Sequence, residues 1–303
     1  MIKITDVAFV RFSAPDLDSM ESFAEAFGLA ISERTDQTLY CRGTDPESYI
    51  HVTQLGDPGF CGVAFDAASA EDLKAASQLE GASKVEPLEG PGGGQRVRFS
   101  DPDGFPVEIV HGRAPLPGLE VRRGSPINTG SNPVRFGTLQ RVEAGPAQIK
   151  RLGHCVLRVS NYRASADWYQ SRFGFLVSDS VYVGDPKNEL TAFMRCDRGD
   201  TYVDHHSLLC IGLGEAAFDH AAFEVEDFDA VMLGNDHLSK AGYDHHTGIG
   251  RHILGSQVYD YWKDPWGHVV EHFTDGDLLN ASAKTGHCEP GMAVGTQWGS
   301  FAP

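Results

Sequence analysis

Residues 151–178 read RLGHCVLRVSNYRASADWYQSRFGFLVS, and residues 4–32 read ITDVAFVRFSAPDLDSMESFAEAFGLAIS. Each stretch opens on an apolar strand-like run, crosses a polar turn, continues at helical spacing and reaches Phe-Gly before a new strand. Met20, Phe23 and Phe27 mark the helical face of the earlier stretch. Ala164, Trp168 and Phe173 mark the later one more loosely. Asp16, and Ser160 or Asn161, are suited to cap the helix starts, because a short polar side chain accepts from the unpaired N–H groups there. Gly28 and Gly174 stand where a helix closes on a left-handed residue. The chain therefore contains an internal repeat.

The correspondence continues downstream. CGVAFDAASAEDLKAASQLEGA (61–82) matches DHAAFEVEDFDAVMLGNDHLSKAG (219–242), each a short apolar strand, an acidic cap region and a helix ending at glycine. QRVRFSDPDGFPVEIV (95–110) matches QVYDYWKDPWGHVVEHF (257–273), with DPxG turning between two β-rich runs. Each half thus holds two strand–helix–strands modules, an α+β organisation. The expected domains are residues 1–112 and 149–276. A Pro-, Gly- and Asn-rich linker (113–148) joins them, and an irregular tail (277–303) follows, with Trp298 and Phe301 expected to pack onto the body. GPGGGQR (90–96) lacks the strand–helix context of a phosphate loop and reads as a hairpin or loop.

Composition narrows the function. The chain has 303 residues and a formal net charge of -17, which opposes binding to nucleic acid or an anionic membrane. No apolar run approaches the length of a membrane span, and no secretory leader pattern is legible, so a cytoplasmic location is expected. None of the six cysteines forms a CxxC pair, which suits free thiols in a reducing compartment. Of 13 histidines only His51 and His111 precede residue 150, so the chemistry is expected in the second half.

Three of these polar residues fall at corresponding places in the repeat: His154, His220 and Glu271, each on its own predicted strand. Two imidazoles and one carboxylate present three ligands to one face of a metal and leave the opposite face open, as in non-haem Fe(II) oxygenases. A buried carboxylate such as Glu271 needs a cation. In the first half, Val7 is aligned with His154, Gly62 with His220 and Glu108 with Glu271. One ligand of three cannot hold a divalent ion, so the first half is expected to be structural.

LGHCVL, DHAAFEV, GRH and YDYWKDPWGHVVEHF, in this order, resemble the type I extradiol ring-cleavage dioxygenases of the vicinal oxygen chelate superfamily. The resemblance covers residues 1 to about 280. It implies a fold of two domains, each of two βαβββ modules, with an open barrel around the metal. It implies Fe(II) on His154, His220 and Glu271, with Mn(II) the alternative. It also implies His206 as acid/base on the O2 side, and His252 and Tyr261 as hydrogen-bond partners of the substrate oxygens. The reaction implied is extradiol (meta) cleavage of a catechol-type diol by O2 to a 2-hydroxymuconate semialdehyde-type product, in a homo-oligomer.

Strand alternation turns His205 away from His206, and likewise His272 away from Glu271 and Cys155 away from His154. His245 and His246 are read as surface or rim groups. Val156 and Phe193 suggest an apolar pocket for an uncharged alkyl- or aryl-substituted catechol. Two other readings stand beside this one. A glyoxalase-like lyase or isomerase would use a fourth protein ligand. A non-catalytic small-molecule binding module would lack the ligands.

Overall fold

The computed structural model describes residues 2–122, 124 and 126–300. The first half runs β1 (Ile4–Ala14), α1 (Leu17–Phe27), β2 (Ala30–Arg34), β3 (Thr38–Arg42), β4 (His51–Leu55) and β5 (Gly59–Ala67). It continues through α2 (Ala70–Ala76), β6 (Glu86–Pro87), β7 (Gln95–Ser100) and β8 (Pro106–His111). The second half runs β9 (Ile149–Val159), α3 (Tyr162–Phe173), β10 (Leu176–Tyr182), β11 (Glu189–Arg195), β12 (Val203–Asp204) and β13 (Leu208–Gly212). Next come β14 (Ala217–Val225), α4 (Phe228–Ala241), β15 (His245–His252), β16 (Val258–Lys263) and β17 (Val269–Thr274). The tail adds β18 (Leu278–Leu279), β19 (Gly286–Cys288), α5 (Pro290–Ala293) and β20 (Thr296–Gly299). Among the described residues no helix is long and apolar enough to cross a membrane.

The helix ends follow local chemistry. Asp16 accepts hydrogen bonds from the N–H groups of Asp18 and Ser19, and Asn161 from that of Ala164. Gly28 closes α1 at φ 103°. A Cβ there would also lie 1.6 Å from the Ala147 carbonyl oxygen, so only glycine lets the incoming chain pass so close.

Two open sheets form. Their orders are β2-β3-β4-β1-β5-β8-β7-β6 and β19-β10-β11-β13-β9-β14-β17-β16-β15-β20. β12 pairs with β18 separately. β1 and β9 are both 11 residues long with the same order of buried and half-buried positions. In each sheet the central strand pairs antiparallel with a nine-residue strand, β5 or β14, which pairs parallel with β8 or β17.

Register corrects one alignment. Phe9 pairs with Ala64, and His154 with Ala222, so Phe9 rather than Val7 is the counterpart of His154. Both strands carry the same bulges, at Val7/Phe9 and Leu152/His154, so the offset lies in where the strands begin: Ile4 answers to Ile149, not to Arg151.

The tail is more regular than its composition suggests. β19 adds to the β10 edge of the second sheet and β20 to the β15 edge. The Trp298 ring meets Phe228 at 6.2 Å, and the Arg251 guanidinium lies over it. Phe301 lies outside the described residues. One apolar core runs through both halves: Phe60 stacks on Phe218 at 4.6 Å, and the His272 ring stacks on Phe27 at 4.0 Å.

Candidate metal centre

The site grows from three neighbouring strands, β9, β14 and β17. Ala222 on the middle strand pairs with His154 on one side and with Glu271 on the other. Its methyl group leaves room above it. His220, two residues before Ala222, shares that face because side chains alternate along a strand. His154 Nε2 lies 3.3 Å and His220 Nε2 3.5 Å from Glu271 Oε2. One ligand atom from each of the three residues falls within 4.8 Å of the others.

The electrostatics of this cluster fit a bound cation. Glu271 is fully buried, and neither carboxylate oxygen makes a hydrogen bond of good geometry. An isolated buried carboxylate costs several kcal/mol. Burial alone would raise the Glu271 pKa, but the His154 and His220 imidazoles outweigh it and hold the group below its ordinary value, ionised. Burial lowers the His154 pKa, which keeps that ring in the neutral form a metal requires. Burial also opposes charge on His220, but the Asp219 carboxylate prevails and its pKa rises. His220 Nδ1–H donates to Asp219 Oδ1 at 2.7 Å, which leaves Nε2 as the lone-pair nitrogen on the Glu271 side.

Around this face stand the other expected residues. The His206 ring lies 4.0 Å from the His154 ring, and Phe193 meets His206 edge-on at 5.1 Å. Burial first, then the neighbouring imidazoles, hold the His206 pKa well below its ordinary value. His252 Nε2 is 2.9 Å from Tyr261 Oη and 3.9 Å from Glu271 Oε1. Tyr259 stacks on the His252 ring at 4.0 Å. Burial pushes the His252 pKa down to about 4, so the ring is neutral near neutral pH. Burial and then the Glu271 charge raise the Tyr261 pKa well above its ordinary value, so the phenol keeps its proton. Tyr261 is the register partner of Glu271 on β16.

A family profile described as the Glyoxalase/Bleomycin resistance protein/Dioxygenase superfamily matches residues 151–272. Metapyrocatechase 2 of Cupriavidus necator is 30% identical over 271 residues, covering 88% of this chain and 80% of that protein. The chain belongs to the type I extradiol ring-cleavage dioxygenases of the vicinal oxygen chelate superfamily. An iron-dependent extradiol dioxygenase of Rhodococcus jostii (strain RHA1) is 25% identical over 298 residues, covering 91% of this chain and 90% of that protein. A crystal structure of a Mn(II)-bound glyoxalase from Novosphingobium aromaticivorans superposes with a TM-score of 0.80 at 22% identity, covering 100% of this chain and 94% of that one. That likeness concerns the fold.

Among extradiol dioxygenase side chains in this chain, the structure corrects one expectation and adds two residues. His205 does not turn away from His206: their Nδ1 atoms are 3.1 Å apart. Residues 205–207 form a bend between β12 and β13, so strand alternation does not apply. Asp179 and Asp219, which hold His205 and His220, carry no spacing signal; adjacency to His220 is the only sequence hint for Asp219.

His245 is exposed, and its Nε2 contacts the buried Asp260 carboxylate at 2.8 Å. His272 Nε2–H donates to the Phe27 carbonyl at 2.7 Å, on the side away from the site. Val156, Val181, Phe193 and Leu209 form one apolar cluster, with Leu254 and Cys288 packed against it.

Proposed function

We propose that this protein is a mononuclear non-haem Fe(II) enzyme that opens the ring of a catechol-type diol with O2, beside the diol, to give a 2-hydroxymuconate semialdehyde-type product. The observation that carries the reading is the fully buried carboxylate of Glu271, without a hydrogen bond of good geometry, between two imidazole nitrogens. His154, His220 and Glu271 would hold the ion. When bound, Fe(II) supplies Lewis acidity toward the diol and a common centre for diol and O2. Mn(II) suits the same ligands. The iron assignment is favoured by the iron-dependent Rhodococcus relative.

The remaining steps belong to the chain's own groups. His252 and Tyr261, already bonded to each other, hydrogen-bond the diol oxygens and orient the ring. His206 moves the proton needed for ring opening. The apolar cluster with Val156 and Phe193 takes an uncharged ring substituent and keeps water out. Both atoms of O2 enter the product, so no external reductant is needed.

Under this reading the enzyme acts in the cytoplasm, in keeping with six free cysteines, and as a homo-oligomer. A glyoxalase-like lyase would draw a fourth ligand, whereas the candidate ligand cluster among the described residues has three members. The test is to load the protein with Fe(II) without oxygen, add 3-substituted catechols in air, and follow the yellow ring-fission product. Iron-loaded protein that colours with no catechol overturns the proposal.

A further inference from the structure

A chain of three side chains leads from the surface of the second sheet to the reaction face. Asp179 Oδ2 is 2.7 Å from His205 Nε2, and His205 Nδ1 is 3.1 Å from His206 Nδ1. A carboxylate only accepts, so His205 carries a proton on Nε2. A neutral His205 then offers the Nδ1 lone pair, and His206 must donate from its own Nδ1–H. That leaves His206 Nε2 as the lone-pair nitrogen. We infer that Asp179 and His205 are positioning residues that fix His206 in this tautomer, ready to take a proton at Nε2. When His206 is protonated, the same chain places a carboxylate two hydrogen bonds behind the imidazolium. This inference rests on the proposed dioxygenase reading, because it specifies how that reading's acid/base is set.

His205 is held as a positioning group requires. It is 3% exposed. Its N–H donates to the Asp277 carbonyl at 3.0 Å, and its carbonyl accepts from Ser178 Oγ at 2.6 Å. Arg195 Nη1 in turn donates to Ser178 Oγ at 2.9 Å. Both ring nitrogens and both backbone groups are therefore engaged, so the ring has one orientation. Asp179 is held by the tail. It is the register partner of Gly286 on β19, and a Cβ at residue 286 would lie 1.9 Å from Asp179 Oδ1. None of these contacts touches His154, His220 or Glu271. A group behind the base that sets its tautomer is a recurring arrangement in acid/base sites.

The test uses full-length enzyme with Asp179→Asn, His205→Leu and His205→Gln, each also combined with His206→Asn. The Gln side chain offers an oxygen toward His206 and an N–H toward Asp179. In Fe(II)-loaded enzyme, Asp179→Asn and His205→Leu should lower kcat ~10–100-fold, within the range of general acid–base effects, with KM for the catechol and bound iron changed less than ~2-fold. His205→Gln should recover most of the loss. In the His206→Asn background the same changes should cost less than ~2-fold, because units that act through one group are not additive. Equal losses in both backgrounds, or loss of iron, overturn the inference.

A second measurement is independent of turnover: 15N histidine spectra of the protein loaded with diamagnetic Zn(II). His206 should show a protonated Nδ1 and an unprotonated Nε2 in wild type, and a mixed or reversed tautomer in Asp179→Asn. The reverse tautomer in wild type overturns the inference. If wild-type iron enzyme opens no catechol, the proposed function fails, while the spectra still decide the tautomer.

Discussion

Glu108 and Glu271 occupy the same place in the two sheets, and their charges are met in opposite ways. The row Phe9–Ala64–Glu108 in the first sheet corresponds to His154–Ala222–Glu271 in the second. Glu108 accepts from Arg11 Nε at 3.1 Å and from Arg96 Nη1 at 3.1 Å. Phe9 fills the place of His154, and the Arg11 guanidinium lies over its ring. In the second sheet Val156 and Tyr259 stand where those arginines would be, and Glu271 faces imidazoles. One fold thus buries a carboxylate either against two guanidiniums or among imidazoles.

Glu271→Ala should bind no iron and retain no ring-cleaving activity, yet stay folded. A ligand present at a thousand times its Kd stabilises the native state by about 4 kcal/mol. Adding Fe(II) or Zn(II) to metal-free wild type should therefore raise Tm by several degrees, and adding it to Glu271→Ala should not. Metal content by elemental analysis and anaerobic thermal melts check both statements. A metal-dependent Tm rise in Glu271→Ala counts against the ligand assignment.

Glu108→Ala should do the reverse. It strands Arg11, whose side chain is 10% exposed, while Arg96, 21% exposed, keeps its ion pair with Glu86 at 2.9 Å. Removing one partner of a buried ion pair costs about 3–5 kcal/mol, and the partial exposure of Arg96 points to the lower end. Urea unfolding of the metal-free protein should show that loss, while iron content and kcat stay near wild type.

The residues of the site were legible because each motif carries its chemistry within a few positions: histidine in LGHCVL and DHAAFEV, glutamate in GHVVEHF. Their convergence within 4.8 Å follows from three adjacent strands in one register. What the sequence hid depends on strand starts and backbone irregularity. β9 begins at Ile149, two residues before Arg151, so the first-half counterpart of His154 is Phe9 and not Val7. A bend at residues 205–207 turned His205 toward His206, where alternation placed it opposite. The tail strands β19 and β20 are three and four residues long, too short to show periodicity, yet they close both edges of the second sheet.

Stability should fall in mild acid through His51. This ring is 5% exposed, stacks on Phe12 at 5.2 Å, and has no hydrogen-bond partner at Nδ1. Burial pushes its pKa from 6.5 down to about 4, with Asp264 opposing weakly. The unfolded chain therefore binds a proton that the folded chain refuses between these values. The stabilisation is fully present above pH 6.5, declines as pH falls, and is exhausted below about pH 4. At 1.36 kcal/mol per pKa unit the full effect is roughly 3 kcal/mol, and roughly 2 of it should be lost between pH 8 and pH 5. Urea midpoints of wild type and His51→Phe at the two pH values test this: the wild-type drop should exceed the variant's by that amount.

His252 and Tyr261 should behave as one unit. Their 2.9 Å hydrogen bond joins a neutral imidazole to a protonated phenol, both beside Glu271. Tyr261→Phe removes the phenol oxygen and leaves His252 without this partner in a buried setting. His252→Asn leaves the phenol in the same position. Each change should lower kcat/KM about 100-fold, the scale of losing one well-placed hydrogen bond to a charged reacting group, without loss of iron. The double variant should fall far short of the product of the two losses, because either single change already breaks the pair. Steady-state kinetics on the four proteins, each normalised to bound iron, give the coupling directly. Fully multiplicative losses would mean that the two residues act on the substrate separately.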